Sequence, residues 1–197
     1  TNTLSSLVLN SDGKTVLVIQ DRRVEHRDTG TDRPVGPPWL HPEPVKGAAA
    51  SPTGDLVATW GAHQLIAWNP RTLAKAWQIT TSEQIQSIEF NDAGSRLALS
   101  TTADEFGAGS ARVLRASDGA DVGPPMREAD GIIVLRFSPT NDDLLAVGTE
   151  SRIARLWNFK TGRAATPEMR HPQPVVRMDF SADGLRLATL TSFRVSR

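Results

Sequence analysis

The feature that most limits what this chain can become is that it repeats itself. VKGAAASPTGDLVAT from Val45, IQSIEFNDAGSRLAL from Ile85, IIVLRFSPTNDDLLAV from Ile132 and VVRMDFSADGLRLAT from Val175 share one pattern, and LSSLVLNSDGKTVLV from Leu4 is a weaker copy. The copies start at intervals of roughly 40 to 47 residues, the period of a unit of four short strands rather than of a helical repeat. In each, an alternating apolar run, a polar turn and a second apolar run mark a β-hairpin. Apolar positions recur at period two along these runs, which argues against helices.

Turn chemistry supports the same unit. Gly13, Gly54, Gly94 and Gly184 stand at one place in it, where a tight turn needs a residue that tolerates positive φ. The copy at Ile132 has Asn141 there and one extra residue, and Asn141 is expected to take the left-handed conformation in glycine's stead. A second β-rich run follows each hairpin, in RRVEHRDTGTDRPVG, HQLIAWNPRTL, SARVLRASDGADVG and SRIARLWNFKTG. After these come PVGPPWLHPEPV, DVGPPMREADGI and AATPEMRHPQPV, whose prolines suit an outer strand, since proline cannot donate to a neighbour.

These residues resemble the WD-repeat β-propeller family over essentially the whole chain. HPQPVVRMDFSADGLRLAT matches the first half of such a repeat and LLAVGTESRIARLWNFKTG the second. The resemblance implies an all-β fold, a β-propeller of four-stranded antiparallel blades. Four complete blades, at approximately residues 1–40, 41–80, 81–127 and 128–170, precede a partial fifth at 171–197 in one incomplete propeller domain. The style of the repeats is that of bacterial members. The family's terminal Trp-Asp pair corresponds to Trp68-Asn69 and Trp157-Asn158, to Leu114-Arg115, and in the first repeat to Glu25-His26. Its buried network, a His before the blade, a Ser or Thr, a turn Asp and the Trp, carries over to His41, Thr59 and Trp68 without the Asp. In a second blade it carries over to Thr149 and Trp157, with Glu128 in place of the His and Ser151 in place of the Asp. His171 opens the last blade as His41 opens the second. FRVSR (193–197) aligns with SRIAR (151–155), so the fifth blade is expected to stop in mid-strand. The remaining blades would then come from further sequence or from another chain.

Composition narrows the function. Lys plus Arg and Asp plus Glu are 22 each, giving zero formal charge, so no global field draws the chain to nucleic acid or an anionic membrane. There is no cysteine, which removes disulfides and thiolate chemistry. No apolar stretch approaches the roughly 20 residues of a membrane helix. His41 and His171 occupy one repeat position and would spread apart rather than converge on a metal, so each is expected to be a hydrogen-bonding staple between a loop and a strand. No GxSxG elbow or phosphate-cradling loop is present. No catalytic, cofactor or metal residues are therefore assigned, and no cofactor.

Candidate contact residues come from loops. STTADEFGAGSA (100–111) is longer than its counterparts and sets acidic Asp104 and Glu105 beside Phe106; it reads as a contact loop or as a harmless one. Trp60 and His63 fall on the corresponding turn of the preceding blade, with Trp60 either presented to a partner or folded back. By the resemblance, Lys46, Gln86, Arg136 and Arg177 are rim contacts of a central funnel. Trp39 and Met126 match each other as core, as do Phe90, Phe137 and Phe180. The expected role is a cytoplasmic, non-catalytic scaffold that binds a protein or peptide. The alternative is a regulatory module of a larger signalling enzyme, a kinase, caspase-like protease or ATPase.

Overall fold

A computed structural model describes residues 6–10, 13–102, 104–105 and 107–192. Phe106, the repeat start at Leu4 and the segment 193–197 lie outside the described residues. Every regular element described is a β-strand, and no helix is long and apolar enough to cross a membrane. The first sheet holds β1 (Ser6–Leu9), β2 (Thr15–Gln20), β3 (Arg23–Asp28) and β4 (Trp39–Leu40). The second holds β5 (Gly47–Ala50), β6 (Val57–Trp60), β7 (Gln64–Trp68) and β8 (Lys75–Thr80). The third holds β9 (Ile85–Phe90), β10 (Arg96–Thr101), β11 (Gly109–Arg115) and β12 (Met126–Glu128). The fourth holds β13 (Ile132–Phe137), β14 (Leu144–Thr149), β15 (Ile153–Asn158) and the short β16 (Arg163–Ala164) and β17 (Met169–Arg170). A final hairpin pairs β18 (Val175–Phe180) with β19 (Leu187–Thr191).

Neighbouring strands within each sheet are consecutive in the chain, except that β17 pairs with β15, and the pairings are antiparallel. This follows from short hairpin links. Gly13, Gly54, Gly94 and Gly184 have φ of 66°, 70°, 66° and 69°, so the left-handed turn residue is glycine wherever it was expected. Asn141 departs from that expectation and is not among the positive-φ residues. The extra residue in its turn permits a different closure: the Asn141 side-chain oxygen accepts from Asp143 N at 3.0 Å, and Asn141 N donates to Ser138 Oγ at 3.1 Å. Prolines explain the outer strands. Pro37 and Pro38 fall between the Arg27–Pro34 bridge and β4, and Pro124 and Pro125 between the Leu114–Asp121 bridge and β12. Proline-free β8 runs unbroken for 6 residues.

The chain packs as two compact units. One comprises the described residues up to Ile85 with Ala93–Ser95 and Ala116–Gly119; the other comprises Gln86–Asp92, Arg96–Arg115 and the described residues from Ala120 onward. In the first, Leu17, Ile19 and Val24 of one sheet meet Val57, Ile66 and Trp68 of the next, with Trp39 at 3% exposure between them. In the second, β14 is buried on both faces. Leu145 and Val147 join a core with Met126, Leu135 and Phe137, while Ala146 on the opposite face joins Ala154, Val175 and Met178. That second interface is close: a Cβ on Gly148 would stand 2.5 Å from Val134 and 3.2 Å from Val175.

Candidate interaction site

Strand register decides which side chains meet. Trp68 lies opposite Val57 and Trp157 opposite Leu145; the equivalent pairs are Leu114 with Leu97, and Arg27 with Val16. The pair in the first repeat is therefore Arg27-Asp28, which corrects the assignment to Glu25-His26. Asp28 Oδ1 accepts from the N–H groups of Gly30 and Thr31, as Asn69 Oδ1 does from Arg71 and Thr72 and Asn158 Oδ1 from Thr161. His26 is instead buried and packs its ring 5.8 Å from that of Trp39.

The same register separates the two Trp networks. Thr59, two residues beyond Val57 on the same face, accepts the Trp68 indole N–H at 2.8 Å. Two residues beyond Leu145 comes Val147, and Thr149 lies past the pairing, because the last paired residues Gly148 and Ala154 enclose one residue more than Trp60 and Leu65 do. Thr149 pairs with Ser151 at 2.9 Å and sits at 3.3 Å from the Ile153 carbonyl. With no hydroxyl beneath it, the Trp157 indole N–H donates to Glu128 Oε1 at 2.8 Å. Glu128 is almost fully buried, and its second oxygen lies 3.5 Å from Arg155 Nη1. Arg155 lies with its Cζ 5.7 Å from the Trp157 ring centre and bonds Glu168 at 2.7 Å.

His41 pairs its Nδ1 with the Glu43 carbonyl at 3.0 Å, within its own loop. The loop is tied to the turn between β2 and β3 by backbone bonds, His41 N to Arg22 O and Val45 N to Asp21 O, each 2.8 Å, so the backbone rather than the imidazole makes the staple. Burial lowers the His41 pKa, outweighing the carbonyl and charge of Glu43 and the Thr59 carbonyl, which pull the other way. His171 is anchored in the same manner, through its N–H to Arg152 O at 2.8 Å.

Of the contact residues, Lys46, Trp60 and His63 come together. Lys46 N donates to Trp60 O at 2.7 Å, and Glu43 Oε1 collects the N–H groups of His63 and Gln64 at 2.7 and 2.6 Å. Trp60 folds over Gly47, where a Cβ would stand 2.4 Å from the indole. Lys46 extends to Gln84 Oε1 at 3.0 Å. In the other unit, Asp104 organises its own loop by accepting from Ala108 N at 2.9 Å, and Glu105 is exposed. Gln86 is exposed on β9. Arg136 is not a free rim cation: it bridges three strands, bonding Glu89 at 3.2 Å, the Met178 carbonyl at 3.0 Å and Asp179 at 2.7 Å. Arg177 pairs with Asp179 at 2.9 Å. Among the described residues no group of three or more His, Cys, Asp or Glu is placed to hold a metal ion. No protein-family model matches the chain, and no curated protein matches it significantly.

Proposed function

We propose that the chain is part of a WD-repeat β-propeller that binds a protein or peptide without transforming it, further sheets completing the ring. Support comes from the loop of His41 to Lys46. It is held at one end by backbone bonds to the turn between β2 and β3 and at the other by a bond from Lys46 N to Trp60 O of β6, and its Glu43 carboxylate fixes the neighbouring turn that carries His63. A loop so restrained loses little entropy when a partner docks on it, which is what rigid display requires. The test is selection of peptides from a random display library on the purified protein. Enriched peptides should lose binding on Lys46→Glu or His63→Ala. Failure to enrich any sequence, or enrichment indifferent to both substitutions, would overturn the reading.

A further inference from the structure

The first unit contains an open pocket of about 580 Å³ that no expected contact residue lines. Its floor is the Trp39–Trp68 pair, stacked with ring centres 5.2 Å apart and planes 4° from parallel, and Leu40, Ile66, Lys75 and Gln78 form its walls. The repeat itself does not dictate this cavity. By register, Ile66 corresponds to Arg155, His41 to Glu128 and Gln78 to Glu168. In the second unit those three form one assembly: the Arg155 guanidinium lies over the Trp157 indole and is neutralised by both carboxylates. In the first unit the cation and both of its anions are absent together, and the Trp68 position is left with a pocket beside it.

The substitutions also set the chemistry of what fits. A cation has no carboxylate to meet there, and Lys75 is the one formally charged residue among those that line the pocket. Among the described residues no carboxylate pairs with its amine, which bonds the neutral Gln78 amide. Apart from the His41 ring the walls are otherwise apolar, and Leu40 stands at the lip at 68% exposure. We infer that this pocket is a docking site for a peptide that inserts a bulky apolar side chain beside Trp68 and sets an adjacent carboxylate against Lys75. The inference rests on the scaffold reading only in that its ligand is a peptide: the pocket shares His41 and Pro42 with the display loop, whereas Lys46 and His63, on which that reading is tested, do not line it.

The probes are three acetylated, amidated hexapeptides, Gly-Ser-Phe-X-Ser-Gly, with X as Glu, Gln or Lys, titrated into the full chain. The indole N–H resonances of the 5 Trp residues report the location by NMR. The Glu peptide should move the resonances of Trp39 and Trp68 and bind up to about fivefold more tightly than the Gln peptide, the range of one exposed ion pair, with the Lys peptide weakest. Lys75→Glu, at an exposed site, should reverse the order of the Glu and Lys peptides. Ile66→Arg should close the pocket to all three, and Leu40→Glu, also exposed, should weaken the Glu peptide if Ile66→Arg fails to fold. No binding at millimolar peptide, or an order unmoved by Lys75→Glu, overturns the proposal. Shifts confined to Trp60 overturn it too, while leaving the display reading intact.

Discussion

Glu128 shows how one side chain takes over another's task. Its carboxylate accepts the Trp157 indole that Val147 cannot, and it neutralises Arg155 in the same place. Glu128→Ala would leave the indole N–H without its acceptor and the mostly buried guanidinium with one of its two carboxylates, and breaking such a buried pair costs roughly 3 kcal/mol. Glu128→Gln keeps an acceptor for the indole and, with Glu168 still on Arg155, is expected to cost about half as much. Urea unfolding of the two variants checks this, and equal losses would mean that the charge alone matters. The substitution of Glu for His was visible in the sequence, but not its partner. A tempting hydroxyl at Thr149 hid the register, and only strand pairing shows that Val147 occupies the place of Thr59. Arg27-Asp28 was missed for a related reason: Arg27 bears no likeness to Trp, whereas Asp28 is recognisable by the N–H groups its carboxylate gathers.

Between strands, the chain Glu89, Arg136, Asp179 ties β9, β13 and β18 through the residue before each matching Phe. Burial raises the Glu89 pKa from 4.5 to about 7, against the pull of Arg136 and the Phe137 N–H, with Asp92 adding to the rise. A carboxyl that binds its proton more tightly folded than unfolded contributes stability that is full below pH 4.5 and is lost as pH rises through about 7. That shift corresponds to about 3 kcal/mol, and because the Glu89 side chain keeps 19% of its surface in water, the burial penalty behind it is trimmed to roughly 1–2 kcal/mol. Glu89→Gln should therefore remove that much of the difference between unfolding free energies measured at pH 5 and pH 8. Parallel profiles for variant and parent would refute it. The strands were legible because alternation and turn glycine agree in each copy. The broken outer strands were legible from their prolines. The charged bridge was not, since Glu89, Arg136 and Asp179 lie more than 40 positions apart and read singly as solvated surface.

Across the whole molecule, the first and last sheets each keep an apolar face bare. Leu7 and Leu9 of β1 are 56% and 61% exposed, and Leu190 of β19 is 51% exposed beside Val176. Within the second unit such a face is normally covered, as Ala146 and Ala154 are by Val175 and Met178. Strand alternation then makes opposite predictions for two residues of β19. Leu187 packs against the Ala146 cluster, whereas Leu190 points outward. Leu187→Lys places a charge in that cluster and should lower the unfolding free energy by about 2 kcal/mol. Leu190→Lys should leave it within roughly 0.5 kcal/mol, the usual range for a surface change. Combined with Leu9→Lys, it should also reduce concentration-dependent association seen by light scattering, because the two bare faces are where apolar area and unpaired strands invite a neighbour. Equal destabilisation by Leu187→Lys and Leu190→Lys would mean that the outward face of β19 is already covered. Unchanged scattering in the Leu9→Lys, Leu190→Lys double variant would place self-association on some other surface.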